Sequence, residues 1–207
     1  VVNVDEVMDT DAIREGGGNI VGTYTTDNVA VGAQGAEFIC SKIESGEVAI
    51  IEGTAGNVNS NARTQGARDT FDAADGIEVV ASQPGDWDRL TSIDVATNIM
   101  QSNPNLKAFY CCNDTMALGA YEAVVNAGKQ EQVMVVGTDA IANAKESVKN
   151  GELAATVGQD NVQIGISSVE MAVKAVKDGW KVDADQEPSM NYIDCFLVTP
   201  DNVDDYL

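Results

Sequence analysis

The chain has 207 residues, of which 33 are acidic and 12 basic, for a formal charge of −21. Such a surface repels nucleic-acid phosphates and anionic membranes, so no nucleic acid is expected as a partner and a neutral or cationic ligand is favoured. Histidine is absent, which removes the commonest general base and the commonest zinc ligand. With 44% hydrophobic residues, the rest of the composition is that of an ordinary folded protein.

No stretch of 18 apolar residues occurs, so no segment reads as a transmembrane helix, and no leader pattern is visible. The cysteines are Cys40, Cys111, Cys112 and Cys195, without a C-x-x-C pair. Neighbours on a strand point to opposite faces, so Cys111 and Cys112 read as small buried apolar residues. No metal site, redox motif or cofactor is expected from them.

The chain opens on Val1-Val2-Asn3-Val4-Asp5, a buried strand already in progress, which suits the later part of a larger protein. Strands are predicted at 1–4, 20–24, 47–51, 77–81, 107–111, 133–136, 154–157 and 193–198. Most are short runs rich in Val and Ile without strict alternation, the pattern of strands covered on both faces. Helical periodicity lies at 28–42, 61–74, 88–102, 114–127, 140–149 and 161–178. Asp27 and Asp114 are candidate N-caps, Gly128 and Gly151 candidate C-terminal stops, and Pro104 marks the end of 88–102. The stretch 180–192 has no period and reads as a linker, with Trp180 in a core or hinge role, and the acidic tail 201–207 reads as loosely held. Strand and helix alternate throughout, so the fold class is α/β with a doubly wound parallel sheet.

In such a sheet ligands sit at the carboxyl ends of the strands. Asp5, Asn113, Asp139 and Gln159 fall there. Arg63 lies near the start of a helix, where the dipole disfavours a cation. It is either half of a surface salt bridge or a rigid donor fork for hydroxyls or a carboxylate. Trp87, in a loop after a strand, is either a core anchor or a flat platform for a sugar ring. Asn113 and Asp139 can each also be simple helix caps. The turn Glu52-Gly53-Thr54-Ala55-Gly56 lacks both the dinucleotide and the P-loop patterns and reads as a tight βα turn. Asn57, Asn59, Ser60 and Asn61 beyond it are candidates for one wall of a polar cleft. Together Asp5, Arg63, Trp87, Asn113, Asp139 and Gln159 offer acceptors, donors and one aromatic face but no nucleophile and base. That set suits recognition of a polyhydroxylated neutral ligand without chemistry, so no catalytic residue is assigned.

The motifs Thr26-Asp27-Asn28 with Gly32, Ala49-Ile50-Ile51-Glu52-Gly53, Arg63-Thr64-Gln65-Gly66, Ala81-Ser82-Gln83-Pro84 with Asp86-Trp87-Asp88-Arg89, Asn113 through Ala120, Val135-Val136-Gly137-Thr138-Asp139 and Ala155-Thr156-Val157-Gly158-Gln159 occur in order. In them the chain resembles the type I periplasmic sugar-binding proteins of ABC importers, the ribose-binding group, and within it the D-allose-binding branch. The resemblance implies two similar lobes joined by three crossings, a monosaccharide between them, and the same six residues as ligand contacts. Ribose binders carry arginine where Glu6 stands and phenylalanine where Trp87 stands, which points away from ribose. It further implies that 1–26 is a remnant of the N-terminal lobe and that 27–158 is the C-terminal sugar-binding lobe. The helix within 159–183 would belong with the N-terminal lobe. Residues 184–207 would hold a hinge crossing, placed within 184–192, and the final strand of the C-terminal lobe. The N-terminal lobe would be largely missing.

The expected function is then the solute-binding component of an ABC sugar importer for D-allose or a related hexose. Its partner would be a membrane permease, and its location periplasmic or extracellular, with or without a lipid anchor. The alternatives are the ligand-binding domain of a LacI-type repressor and a sugar sensor coupled to a membrane receptor. The helix 161–178 carries Ile164, Ile166, Val169, Met171, Ala172, Val173 and Val176, an apolar surface expected to drive self-association when uncovered.

Overall fold

A computed structural model describes residues 1–183 and 185–207. In chain order the elements are β1 (Asn3–Val4), α1 (Thr10–Glu15), β2 (Gly22–Thr26), α2 (Asn28–Lys42), β3 (Gly46–Glu52), α3 (Val58–Ala73), β4 (Ile77–Pro84), α4 (Arg89–Ser102) and β5 (Leu106–Cys111). They continue with α5 (Asp114–Asn126), β6 (Met134–Asp139), α6 (Ala142–Lys149), β7 (Ala155–Gln159), α7 (Asn161–Lys177), β8 (Ser189–Ile193), β9 (Cys195–Val198) and a short 3-10 turn, Val203–Tyr206. The chain divides into two units, one of Val1–Asp27 with Gln159–Cys195, the other of Asn28–Gly158 with Phe196–Leu207.

The larger unit is built on a six-stranded sheet in the order β4-β3-β5-β6-β7-β9. The pairs β3–β4, β3–β5, β5–β6 and β6–β7 are parallel. Val48 through Ile51 and Ala108 through Cys112 are wholly buried, as strands covered on both faces must be. The chain leaves β3 for β4 on one side and returns across it to β5 on the other. Right-handed crossovers therefore put α3 and α4 on opposite faces. Each has a helical partner, α2 packing on α3 and α5 on α4. The reversal of direction between β3 and β5 makes their carboxyl ends the switch point where this architecture opens a crevice.

Side-chain caps start these helices. Asn57 Oδ1 accepts from Ser60 N at 2.8 Å, Asp88 Oδ1 from Thr91 N at 2.8 Å, and Asn113 Oδ1 from Met116 N at 2.8 Å. Gly128 and Gly151 follow the C-caps of α5 and α6 at φ +66° and +75°, the left-handed conformation that closes a helix.

The smaller unit holds a three-stranded sheet, β1-β2-β8, parallel throughout, with α7 packed on β1 and β2. Asp160 caps α7 through Gln163 N at 2.8 Å. Trp180 is half-buried and donates from Nε1 to Gln186 Oε1 at 3.1 Å.

Five expectations need correction. Asp114 does not cap α5: Asn113 does, because its extended backbone (φ −150°, ψ 167°) makes it the residue outside the first turn, and Asp114 is already helical. The stretch 180–192 is not all linker, since Ser189–Ile193 forms β8, hydrogen-bonded to β2. The predicted strand 193–198 accordingly splits at Asp194, and the chain passes between units at Cys195-Phe196 rather than within 184–192. Of that predicted crossing, Ala184 lies outside the described residues. The tail is anchored: Val203 is buried, and the Tyr206 ring stacks on Phe196 with centroids 4.8 Å apart.

Candidate functional site

The carboxyl edge of the larger sheet gathers residues from four successive loops. Arg63, in the second turn of α3, is only 5% exposed. Its guanidinium is held on three sides. Nε donates to Asn28 Oδ1 at 2.8 Å, and Nη1 donates to the Cys112 carbonyl at 2.7 Å and to Asp139 Oδ1 at 3.3 Å. Asn28 is itself fixed by donation from Nδ2 to Asn59 Oδ1 at 3.3 Å. Among the described residues nothing accepts from Arg63 Nη2. A buried guanidinium with one nitrogen unused can serve as a pre-oriented fork for an oxygen-rich ligand. The surface salt-bridge reading of Arg63 therefore falls.

Trp87 lies 6.0 Å, ring centroid to Cζ, from that guanidinium, at the outer limit of a cation–π contact. Its six-membered ring rests on Gly53, where a Cβ would stand 2.1 Å from Cζ2. Asp86 and Trp87 both take positive φ, 55° and 59°. The turn is closed by Gly85 N to the Glu52 carbonyl at 2.8 Å and Asp88 N to the Gly85 carbonyl at 2.9 Å. Strained non-glycine backbone at a sheet's ligand edge is a mark of a site. Asp139 and Ala140, at φ 110° and 53°, add a second such pair.

Asn113 is half-buried at the head of α5. Its Oδ1 serves the helix cap, while its Nδ2 has no acceptor among the described residues. Asp114 is fully buried. Its Oδ1 accepts from Thr156 Oγ1 at 2.7 Å and its Oδ2 from Ile141 N at 2.9 Å. Burial pushes this carboxyl up to about 8, against the opposing pull of those hydrogen bonds. Cys112, beside Arg63, is pushed up to about 11 by burial, and Thr64 Oγ1 is its 3.5 Å neighbour. A thiol of that kind is not a nucleophile at neutral pH.

Arg63, Asp139, Trp87 and Asn113 thus share one edge of the larger unit. Asp5 and Gln159 belong to the smaller one. Asp5 is exposed just past β1, at φ 66°, with its amide donating to the Tyr24 carbonyl at 2.8 Å. Gln159 Oε1 accepts from Thr26 Oγ1, at the end of β2, at 2.8 Å. Asn28 and Thr26 were legible only as parts of a motif. The available signal was an asparagine, a poor helix former, at the head of a helix. Among the described residues no group of three or more Cys, Asp or Glu could hold a metal, and no helix is long and apolar enough to cross a membrane.

A doubly wound lobe whose sheet edge carries a buried donor fork, a carboxylate and an aromatic ring defines a small-molecule binding domain. The chain belongs to the periplasmic binding protein family, whose domain model matches residues 6–179. It is 51% identical over 201 residues to the D-allose-binding periplasmic protein of Escherichia coli K12, covering 96% of this chain and 65% of that protein. The ribose import binding protein RbsB of the same organism is 39% identical over 168 residues, covering 81% of this chain and 56% of that protein. A solved solute-binding protein of an ABC transporter from Actinobacillus succinogenes 130z, with bound D-allose, superposes with a TM-score of 0.89. It is 32% identical, and the match covers 99% of this chain and 71% of that one. The chain therefore spans somewhat under two thirds of the curated relatives it matches.

Proposed function

We propose that the protein binds a monosaccharide, D-allose or a related hexose, without transforming it, as the periplasmic solute-binding component of an ABC importer. The observation that carries this reading is the Arg63 guanidinium, held by Asn28, Cys112 and Asp139 with Nη2 left for a ligand. A donor fork beside an acceptor carboxylate matches the dual character of sugar hydroxyls, and the Trp87 ring suits a C–H face. The names of the relatives, D-allose-binding and ribose-binding among them, support a sugar over other polar ligands. A membrane permease is the partner this role requires.

On this reading the larger unit is the sugar-binding C-terminal lobe. The smaller unit, which carries Asp5 and Gln159, belongs to the opposite lobe. A panel of monosaccharides in a thermal shift assay tests the function, because a ligand that binds only the folded state raises its apparent stability. D-Allose should raise the midpoint and Asp139→Ala should abolish the rise. A panel in which no sugar moves the midpoint even at high concentration would contradict the proposal.

A further inference from the structure

The end of β6 and the turn after it carry two successive non-glycine residues of positive φ, Asp139 and Ala140. Such backbone persists only where its surroundings over-determine it. Here the surroundings come from one buried pair. The Ala140 amide donates to Thr156 Oγ1 at 3.2 Å, and the Ile141 amide donates to Asp114 Oδ2 at 2.9 Å. Thr156 Oγ1 in turn donates to Asp114 Oδ1 at 2.7 Å. Gly137 makes room for this arrangement, since a Cβ there would stand 2.2 Å from Asp114 Oδ1. We propose that Asp114 is a positioning residue for Asp139: with Thr156 it grips the two amides after Asp139, and so fixes the turn that aims the Asp139 carboxylate at Arg63 and the ligand. Asp114 sits beneath the edge and acts only through this turn. Burial favours the protonated form of its carboxyl; the acid then supplies the proton of the 2.7 Å bond to Thr156 Oγ1, while Oδ2 still accepts from Ile141 and the hydroxyl still accepts from Ala140.

The inference rests on Asp139 being a ligand residue, and the experiment separates the two. Amide hydrogen exchange is followed on the ligand-free chain in the parent, Asp114→Ala, Asp114→Asn and Thr156→Val, with D-allose affinity measured beside it by titration calorimetry. Asparagine supplies the acceptor and donor of a protonated carboxyl, so Asp114→Asn should keep Ala140 and Ile141 protected and hold affinity within about threefold. Asp114→Ala should speed exchange at those two amides by about tenfold or more and weaken affinity by a similar factor. Should Asp114→Ala not fold, Thr156→Val, which removes the hydroxyl that receives the Ala140 amide and bonds Asp114, should speed exchange at Ala140 and weaken affinity in the same direction. A folded Asp114→Ala with unchanged affinity, or an Asp114→Asn as weak as Asp114→Ala, would overturn the proposal. If no monosaccharide binds the parent, the sugar reading alone fails. The exchange data then decide: lost protection in Asp114→Ala restored in Asp114→Asn upholds the role, and unchanged protection refutes it.

Discussion

Gly32 on α2 lies so close to Arg63 on α3 that a Cβ there would stand 1.9 Å from the Arg63 carbonyl oxygen. The approach is reciprocal, for a Cβ on Gly66 would stand 2.0 Å from the Val29 carbonyl oxygen. Two helices therefore meet main chain to main chain, and that meeting sets where the Arg63 side chain begins. Asn28, which holds the guanidinium, lies one turn before Gly32 on the same helix.

Gly32→Ala should consequently destabilise the chain by about 1–3 kcal/mol, since backbone cannot swing aside as a flexible side chain can. It should also weaken sugar binding by moving Arg63. Urea unfolding checks the first part. Gly165→Ala in α7 is the control, because a Cβ there meets nothing within 4 Å and a helical alanine gains up to about 1 kcal/mol over glycine. Equal midpoints for Gly32→Ala and the parent would remove the argument.

Asn28→Ala leaves Arg63 Nε buried without its acceptor, which costs about 1–3 kcal/mol. Binding should fall further than stability does, because the fork loses one of its fixed points. Asn28→Asp retains the Oδ1 acceptor and should be milder on both counts. The comparison needs denaturation midpoints and titration calorimetry on the same three proteins. Asn28→Ala with parental affinity would show that Arg63 is oriented by Cys112 and Asp139 alone.

The elements that could be read from sequence were those whose burial is two-sided or whose ends are punctuated. The apolar run of β5 was placed to within a residue, and α2 was bounded at 28–42 as observed. β8, Ser189–Ile193, escaped because it pairs only with β2 at the edge of a small sheet and keeps polar side chains. α1 escaped because its six residues bury nothing. At the candidate site, the positions of Arg63 near a helix start and of Asp139 at a strand end were legible. The roles of Asn113 and Asp114 were not. Both are good caps and they are adjacent, and the choice is made by Thr156, 42 residues away.

Gly53→Ala should dislodge the Trp87 ring, which would meet the new methyl at 2.1 Å. The chain has two tryptophans, so in a Trp180→Phe background the emission reports Trp87 alone. Its spectrum should shift on Gly53→Ala, and affinity for the sugar should drop with it. Trp87→Phe keeps a ring but loses area, and should bind more weakly than the parent and more tightly than Trp87→Ala. An unshifted spectrum would mean that the turn at Asp86-Trp87 gives way without moving the ring.

Val162, Ile166, Val169, Val173 and Val176 follow one another on α7 at steps of four and three residues, and all are exposed, Val162 at 72% and Val176 at 81%. That spacing is the seam of a helix awaiting a partner. The chain of 207 residues is therefore expected to self-associate. Sedimentation equilibrium should show a dimer at about 100 μM, an association of modest free energy, and Val169→Glu with Val176→Glu should give a monomer. A monomeric parent at that concentration would rule out association through α7.

Asp114 also predicts a pH dependence. Its carboxyl titrates near 8 in the folded chain, chiefly because burial disfavours the charge. An aspartate in an unfolded chain titrates at about 4. Between those values the folded state holds a proton that the unfolded state has lost, so stability from this group falls as pH rises, by up to about 1.4 kcal/mol per pH unit. The contribution is complete below about pH 4 and gone once the pH has passed about 8. Asp114→Asn cannot titrate and lacks this slope. The other carboxylates are common to both proteins and cancel in the difference. Urea unfolding of parent and variant at intervals from about pH 5 to about pH 9 should therefore show Asp114→Asn gaining on the parent until the buried acid has ionised, and then no further. A difference that stays constant across that range would mean the carboxyl is already ionised at acidic pH, and that its bonds to Thr156 and Ile141 outweigh its burial.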